Sequence, residues 1–204
     1  MDIILNGLTK KYKQDTIFRD FTFTIKAGDR LGISGPNGSG KSTLLKILSG
    51  QVSPTKGERT YLDENGKKIE EELVFGKISY AAPYIELIEE YTLPELLRFY
   101  ANFRQPYLPN LQELAELSGL KFKNRFIKEY SSGMKQRVKL LLALCFQSEV
   151  VLLDEPSTNL DAEGVAWTNS LITEFLQSRT IIIASNEVRD FEAVPKVLDI
   201  VTYK

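Results

Sequence analysis

The chain has 204 residues, 26 of them basic and 27 acidic, for a formal charge of -1; that length holds one large domain or two small lobes, and so even a charge balance offers no global field for nucleic acid or an anionic membrane. Its single cysteine, Cys145, excludes an internal disulfide and, with no signal-like stretch at the start, points to a reducing cytoplasm. The absence of histidine removes the commonest general base and metal ligand, leaving carboxylates, lysines and backbone dipoles for any chemistry.

In chain order, Ile3 to Leu5 and Ile17 to Ile25 read as strands, the second because Phe21, Phe23 and Ile25 alternate with Thr22 and Thr24. A polar loop lies between them and contains Tyr12, an aromatic that either stacks on a base or packs at the solvent edge. Arg30 to Ser34 is a short strand and Thr43 to Leu48 a helix. Between them Gly35, Pro36, Asn37, Gly38, Ser39, Gly40, Lys41, Ser42 and Thr43 fill every fixed position of the phosphate-binding pattern G-x-x-x-x-G-K-[ST]. The glycines allow successive amides to turn inward around a polyphosphate, Lys41 adds a point charge, and the following helix start favours anions. Gly57 to Leu62 and Lys67 to Leu73 flank Asp63-Glu-Asn-Gly66, where Asn-Gly predicts a hairpin.

From Thr92 the period becomes helical, opening on Thr92-Leu-Pro-Glu95 with an N-cap, an early proline and a capping-box glutamate. Leu111, Leu114, Leu117 and Leu120 continue it, with breaks at the Pro106 to Pro109 turn and at Ser118-Gly119. Lys121, Lys123, Arg125, Lys128, Lys135, Arg137 and Lys139 then form a basic cluster, read as a solvated helix face in preference to a nucleic-acid or phospholipid patch. The most apolar stretch, Val138 to Phe146 with Lys139 inside it, is too short to span a bilayer, so the chain reads as soluble by itself. Val150 to Pro156 is a buried-type strand ending in two carboxylates. There Asp154 suits a magnesium ion, held together with the Ser42 hydroxyl, while Glu155 suits a water that attacks a terminal phosphate.

With these motifs in place, nearly the whole chain resembles the ATP-binding cassette family. Between the two phosphate-site motifs, Tyr130-Ser-Ser-Gly-Met-Lys-Gln-Arg137 is similar to the family's signature, usually written LSGGQ: Ser131 and Gly133 match, whereas Tyr130, Ser132 and Met134 depart from it. A serine and a glycine opening a helix at Gly133 present a hydroxyl and free amides to an anion. Tyr12, after Leu8-Thr-Lys-Lys11, is similar to the aromatic that stacks on adenine, and Asp161, in Ser157-Thr-Asn-Leu-Asp161, to the acid of the loop that meets a partner subunit. Two landmarks are missing. The glutamine position falls on Pro83, with no Gln between Ile78 and Arg104, and after the strand Thr180 to Ser185 the switch histidine is replaced by Asn186, which can hydrogen-bond a phosphate but carries no proton.

The resemblance implies an α/β fold: a phosphate-loop NTPase core of mainly parallel strands, an N-terminal antiparallel β subdomain and an inserted helical signature subdomain. Residues 1–204 form one ATPase domain, with 1–91 the antiparallel region and phosphate-loop core, 92–146 the helical subdomain and 147–204 the completion of the core. It further implies ATP and Mg2+ as cofactors and two cassettes, as homodimer or heterodimer, sandwiching ATP with Ser131 and Gly133 supplied in trans. Membrane-spanning transporter subunits would then be driven by closure and reopening. The chain is expected at the inner face of the cell membrane, peripheral through those subunits, docked by Tyr84 to Tyr91, with no nucleic-acid partner. Glu155, Lys41 and Asn186 are the expected catalytic residues, and the two missing landmarks imply slow turnover. A degenerate regulatory cassette and a soluble non-transport ATPase stand as alternatives.

Overall fold

In the computed structural model, which describes residues 1–120, 125–176 and 178–204, the chain divides into two units. One comprises Met1–Tyr80, Ser148–Asp154 and Ser178–Lys204, the other Ala81–Gln147 and Glu155–Gln177.

The first unit is built on two sheets. Strands β1 (Asp2–Tyr12) and β2 (Asp15–Ile25) pair antiparallel, Ile3 opposite Ile25 and Tyr12 opposite Asp15. Strand pairing therefore reaches Tyr12, which ends β1 and does not lie in a loop. The loop is shorter than the polar composition of residues 6–16 suggests because Lys10, Lys11 and Tyr12 find backbone partners in Phe18, Thr16 and Asp15 while their side chains stay at the surface. After β3 (Arg30–Ser34) and helix α1 (Lys41–Leu48), strand β4 (Lys56–Leu62) joins the other edge of β1, giving the order β2-β1-β4.

The hairpin beyond β4 turns at Asp63 to Gly66 as expected, the Asp63 carboxylate accepting from the amides of Asn65 and Lys67. Its second arm is one bridge long, Leu62 opposite Lys68. Residues Glu71–Val74 form a short helix, α2, where the sequence predicts strand. The helical turn presents the Glu71 carboxylate to the buried Arg59 guanidinium at 2.8 Å, and a buried cation needs that partner more than an edge needs another strand.

Five further strands form the second sheet in the order β5-β6-β7-β3-β8, with β5 (Ile78–Ala81), β6 (Val150–Asp154), β7 (Thr180–Ser185) and β8 (Lys196–Asp199). Every residue of β6 and β7 is buried, as the near-continuous Val, Ile and Leu of a sheet covered on both faces requires. Ile3, Leu5, Phe18, Ile33, Leu44, Leu45 and Ile182 belong to one apolar core in this unit. Below it, the Tyr61 hydroxyl donates to the Leu48 carbonyl at 2.8 Å, and Arg59 donates to the Ile47 carbonyl, so two side chains of β4 satisfy the free carbonyls that end α1. Burial holds the Tyr61 phenol far above its ordinary value, hence always protonated and able to donate.

The second unit is helical: α3 (Leu93–Ala101), α4 (Leu111–Leu117), α5 (Ser132–Leu144) and α6 (Ala162–Leu176). Helix α3 starts with the expected capping box between Thr92 and Glu95. Gly119, left-handed at φ 69, ends α4. Trp167 of α6 donates to the Leu117 carbonyl at 2.7 Å, fastening α6 to the end of α4. Helix α5, with Val138, Leu140 to Leu144 and Gln136 buried, is the centre of this unit.

Two outcomes are expected. Tyr61→Phe leaves the Leu48 carbonyl buried without its donor and should lower unfolding free energy by about 1–3 kcal/mol, read as a shifted denaturant midpoint at unchanged slope. Hydrogen bonds from the Thr92 backbone and side chain hold the Glu95 carboxyl below its ordinary 4.5. Since the folded value is the lower one, this stabilisation is complete above 4.5 and is lost as pH falls through the folded value. The melting temperature of Glu95→Gln should therefore depend less on pH across that acidic range than that of the parent.

Candidate active site

The row of strand ends in the second sheet positions the first set of residues. Ile33 of β3 and Asp154 of β6 both lie level with Ala184 of β7, and Ser34 with Ser185. The phosphate loop therefore leaves β3, Glu155 follows β6 and Asn186 follows β7 at the same carboxyl edge of a parallel sheet, the edge where such sheets bind ligands. At about 4.8 Å per strand, Asp154 stands about 10 Å across the sheet from the start of the loop.

Within the loop, Pro36, Asn37 and Gly38 are exposed, Ser39 and Lys41 are buried, and Ser42 and Thr43 are half-buried in the first turn of α1. The Ser39 amide donates to the Pro36 carbonyl, and the Lys41 ammonium folds back on the loop, donating to the carbonyls of Gly35 at 2.7 Å and Pro36 at 3.3 Å. Gly40 is left-handed at φ 108, and a β-carbon there would stand 2.4 Å from the Ile17 side chain. Backbone conformation and space thus both demand glycine, and the loop rests on β2. Ile17 and Ile200, which also faces Gly40, escape sequence reading because each looks like any apolar core residue. The buried Ser39 hydroxyl oxygen has no hydrogen-bond partner among the described residues, a polar atom inside the cradle awaiting one.

Asp154 is 1% exposed, and the Tyr80 hydroxyl donates to its Oδ2 at 3.3 Å, a contact no motif announces. Among the described residues no three acidic or cysteine side chains cluster as a metal cage. The Ser42 hydroxyl and the Asp154 carboxylate are hard oxygen donors, the kind that Mg2+ takes alongside several waters. Tyr12 is 45% exposed at the end of β1, with the Lys10 ammonium 4.8 Å above its ring. Asn186 is exposed after β7, where the Ser185 hydroxyl donates to the buried Asp190 carboxylate at 2.5 Å and accepts from the Glu187 amide, closing the turn that carries it.

The signature residues lie in the helical unit. Ser131 is the N-cap of α5, its hydroxyl accepting from the Met134 amide, so the helix opens at Ser132, one residue before the expected Gly133, because the cap needs its own residue ahead of the first turn. A cavity of about 440 Å³ lies beside this helix start, lined by Ser131, Gly133, Met134, Arg137, Asn159 and Asp161 among others. A β-carbon on Gly133 would stand 2.6 Å from the Asn159 carbonyl oxygen, so only glycine lets these backbones approach. Asp161 is the N-cap of α6, accepting from the Gly164 amide at 2.8 Å, and Arg137 reaches toward it and Glu163 at 3.9 and 3.8 Å while covering the Trp167 ring.

Pro83, at the glutamine position, is half-buried, and its carbonyl accepts from the Lys139 ammonium. Of the basic cluster, Lys135 pairs with Glu89, Arg137 and Lys139 are engaged as described, and Lys128 covers the Phe126 ring; Lys121 and Lys123 lie outside the described residues. The cluster is thus less a solvated face than its composition indicates, because half-buried stems on α5 bring their charges to acceptors in the same unit.

The family model for the ABC transporter matches residues 18–158. An uncharacterized ABC transporter ATP-binding protein of Bacillus subtilis, YybJ, is 31% identical over 92% of this chain and 86% of its own length. The Nod factor export ATP-binding protein I of Rhizobium johnstonii is 33% identical over 93% of this chain, which spans 63% of that protein. A dimeric structure of the ATP-binding cassette MJ0796, in a post-hydrolysis state bound to ADP and Pi, shares the fold at a TM-score of 0.81 and 22% identity, covering 97% of this chain and 93% of that one. Matched over more than half its length by the family model, and over nearly all of it by an ATP-binding relative, the chain belongs to the ABC transporter family.

Proposed function

We propose that this chain is the ATP-binding and ATP-hydrolysing subunit of an ABC transporter, and that it works as one of two cassettes that close on nucleotide. The observation that carries this reading is the common register of β3, β6 and β7, which delivers a phosphate cradle, an Asp-Glu pair and Asn186 to one sheet edge. The loop amides and the α1 start bind the phosphates, and Lys41 leaves its loop carbonyls to meet them. Ser42 and Asp154 would hold Mg2+, which supplies charge neutralisation between phosphate oxygens when bound. Glu155 accepts the proton of the attacking water, in a reaction that otherwise depends on positioning and electrostatics.

The cavity at Ser131 and Gly133 is the half-site for the nucleotide of a second cassette: a helix start with small residues suits an anion, and among the described lining residues there is no phosphate loop. Among the described residues no helix is long and apolar enough to cross a membrane, and the likeness to an export ATP-binding protein supports a membrane-spanning subunit as the partner that converts closure into work. The helical unit offers it exposed Tyr84 and Phe103, and Glu86, Leu87, Glu89 and Glu90 around a cavity of about 420 Å³. In this reading the chain sits peripherally on the inner membrane face. Pro83 and Asn186 at the positions of the glutamine and histidine set a slow rate.

Glu155→Gln should lower ATP turnover on the order of 10²- to 10⁴-fold while leaving equilibrium ATP affinity unchanged. Turnover equal to that of the parent would remove Glu155 from the mechanism, and absence of turnover in the parent itself would favour a regulatory cassette.

A further inference from the structure

We infer that Gln136, a side chain of the signature helix, is a positioning residue for Glu155, holding the turn that presents its carboxylate and tying that turn to the helix that reads the partner's nucleotide. This rests on the reading of Glu155 as the base.

The backbone at Glu155 is in an unfavourable conformation. Its φ is 47, in the left-handed region that side-chain-bearing residues seldom occupy, and it precedes Pro156, which favours an extended conformation in the residue before it. A residue held this way persists only where its surroundings determine it. The chain closes a four-residue turn there: the Thr158 amide donates to the Glu155 carbonyl at 3.1 Å, with Pro156 in the position where its fixed φ suits such a turn. That bond does not use the Pro156 carbonyl, and Pro156 itself is buried. Gln136 supplies the donor: its Nε2 lies 3.0 Å from the Pro156 oxygen, and its side chain is 2% exposed. A buried amide paired with a buried carbonyl is costly to break, because both groups then lie away from water.

The same face of α5 grips the segment at other points. Gly133, Gln136 and Arg137 stand at i, i+3 and i+4, hence on one side of the helix. Gly133 abuts the Asn159 carbonyl, Gln136 holds Pro156, and Arg137 reaches Asp161 and Glu163. Residues 155–163 are therefore laid along the helix whose N-terminus lines the half-site. A displacement of α5 on meeting a partner's nucleotide would move the Glu155 turn with it, chiefly through the Gln136 amide, the contact nearest to Glu155.

The test uses the full chain with Mg2+ and ATP. Gln136→Met keeps the length and removes the amide; it should lower kcat on the order of 10²-fold, the loss that a misplacement of about 1 Å produces, with KM and ATP affinity unchanged. In the Glu155→Gln background the same change should cost nothing further, because a turn without its base has nothing left to position. Gln136→Glu should recover turnover as pH falls, since a protonated acid donates to the Pro156 carbonyl and a carboxylate cannot. A Gln136→Met protein that keeps the parental kcat, or that loses equally in both backgrounds, overturns the inference. If that variant does not fold, the pH profile of Gln136→Glu decides alone, and a profile parallel to the parent's overturns it. Failure of Glu155→Gln to slow turnover would instead strike at the assignment of Glu155 itself.

Discussion

The nucleotide site proposed for this chain depends on a backbone shape at Gly40. The loop leaves β3, passes over buried Ser39, turns through a left-handed residue and enters α1, and it can do so only because no side chain stands between Gly40 and Ile17. Around that point the first unit is braced: the loop rests on β2, α1 on the core of Leu44, Leu45 and Ile33, and the far end of α1 on the donors of Tyr61 and Arg59. A cradle fixed in advance binds phosphate without an ordering cost at the moment of binding. The parallel register then does for Asp154 and Asn186 what the loop does for its amides, bringing distant stretches of sequence to one edge.

The second unit solves a different problem. Its signature helix must present a polar N-terminus outward and yet be the most buried helix of its unit, which α5 does by placing Ser131 and Ser132 at the surface and Leu140 to Leu144 inside. Between those extremes lies a face of Gly133, Gln136 and Arg137, neither apolar nor solvated, each of which contacts the segment from Pro156 to Glu163. Small, amide and guanidinium groups there replace the hydrophobic contact found elsewhere on the helix. They give the segment a defined position without burying more apolar surface.

Much of this was legible in the residues, and the reasons differ by element. The parallel core strands were readable because runs such as Val150 to Leu153 and Thr180 to Ala184 have no other use in a chain this polar. The capping box of α3 and the glycine that ends α4 are local chemistry, fully contained in a few consecutive residues. Tyr12 was misplaced in a loop because its pairing with Asp15 is set by the partner strand and not by its own polar neighbours. Residues 71–73 read as strand because they end the second arm of the Asn-Gly hairpin, yet the ion pair between Arg59 and Glu71 draws them into a helical turn. Tyr80 on Asp154 and Gln136 on Pro156 were illegible for the same reason: each pair is far apart in sequence and joined only by topology.

The most direct test of this account is the equilibrium affinity for ATP of the Gly40→Ala chain, measured by calorimetry beside the parent. A methyl group at Gly40 must either displace Ile17 or distort the loop, so the affinity should fall about tenfold to a hundredfold, the equivalent of about 1–3 kcal/mol of backbone strain. An affinity equal to that of the parent would contradict the claim that this preformed loop is the nucleotide site.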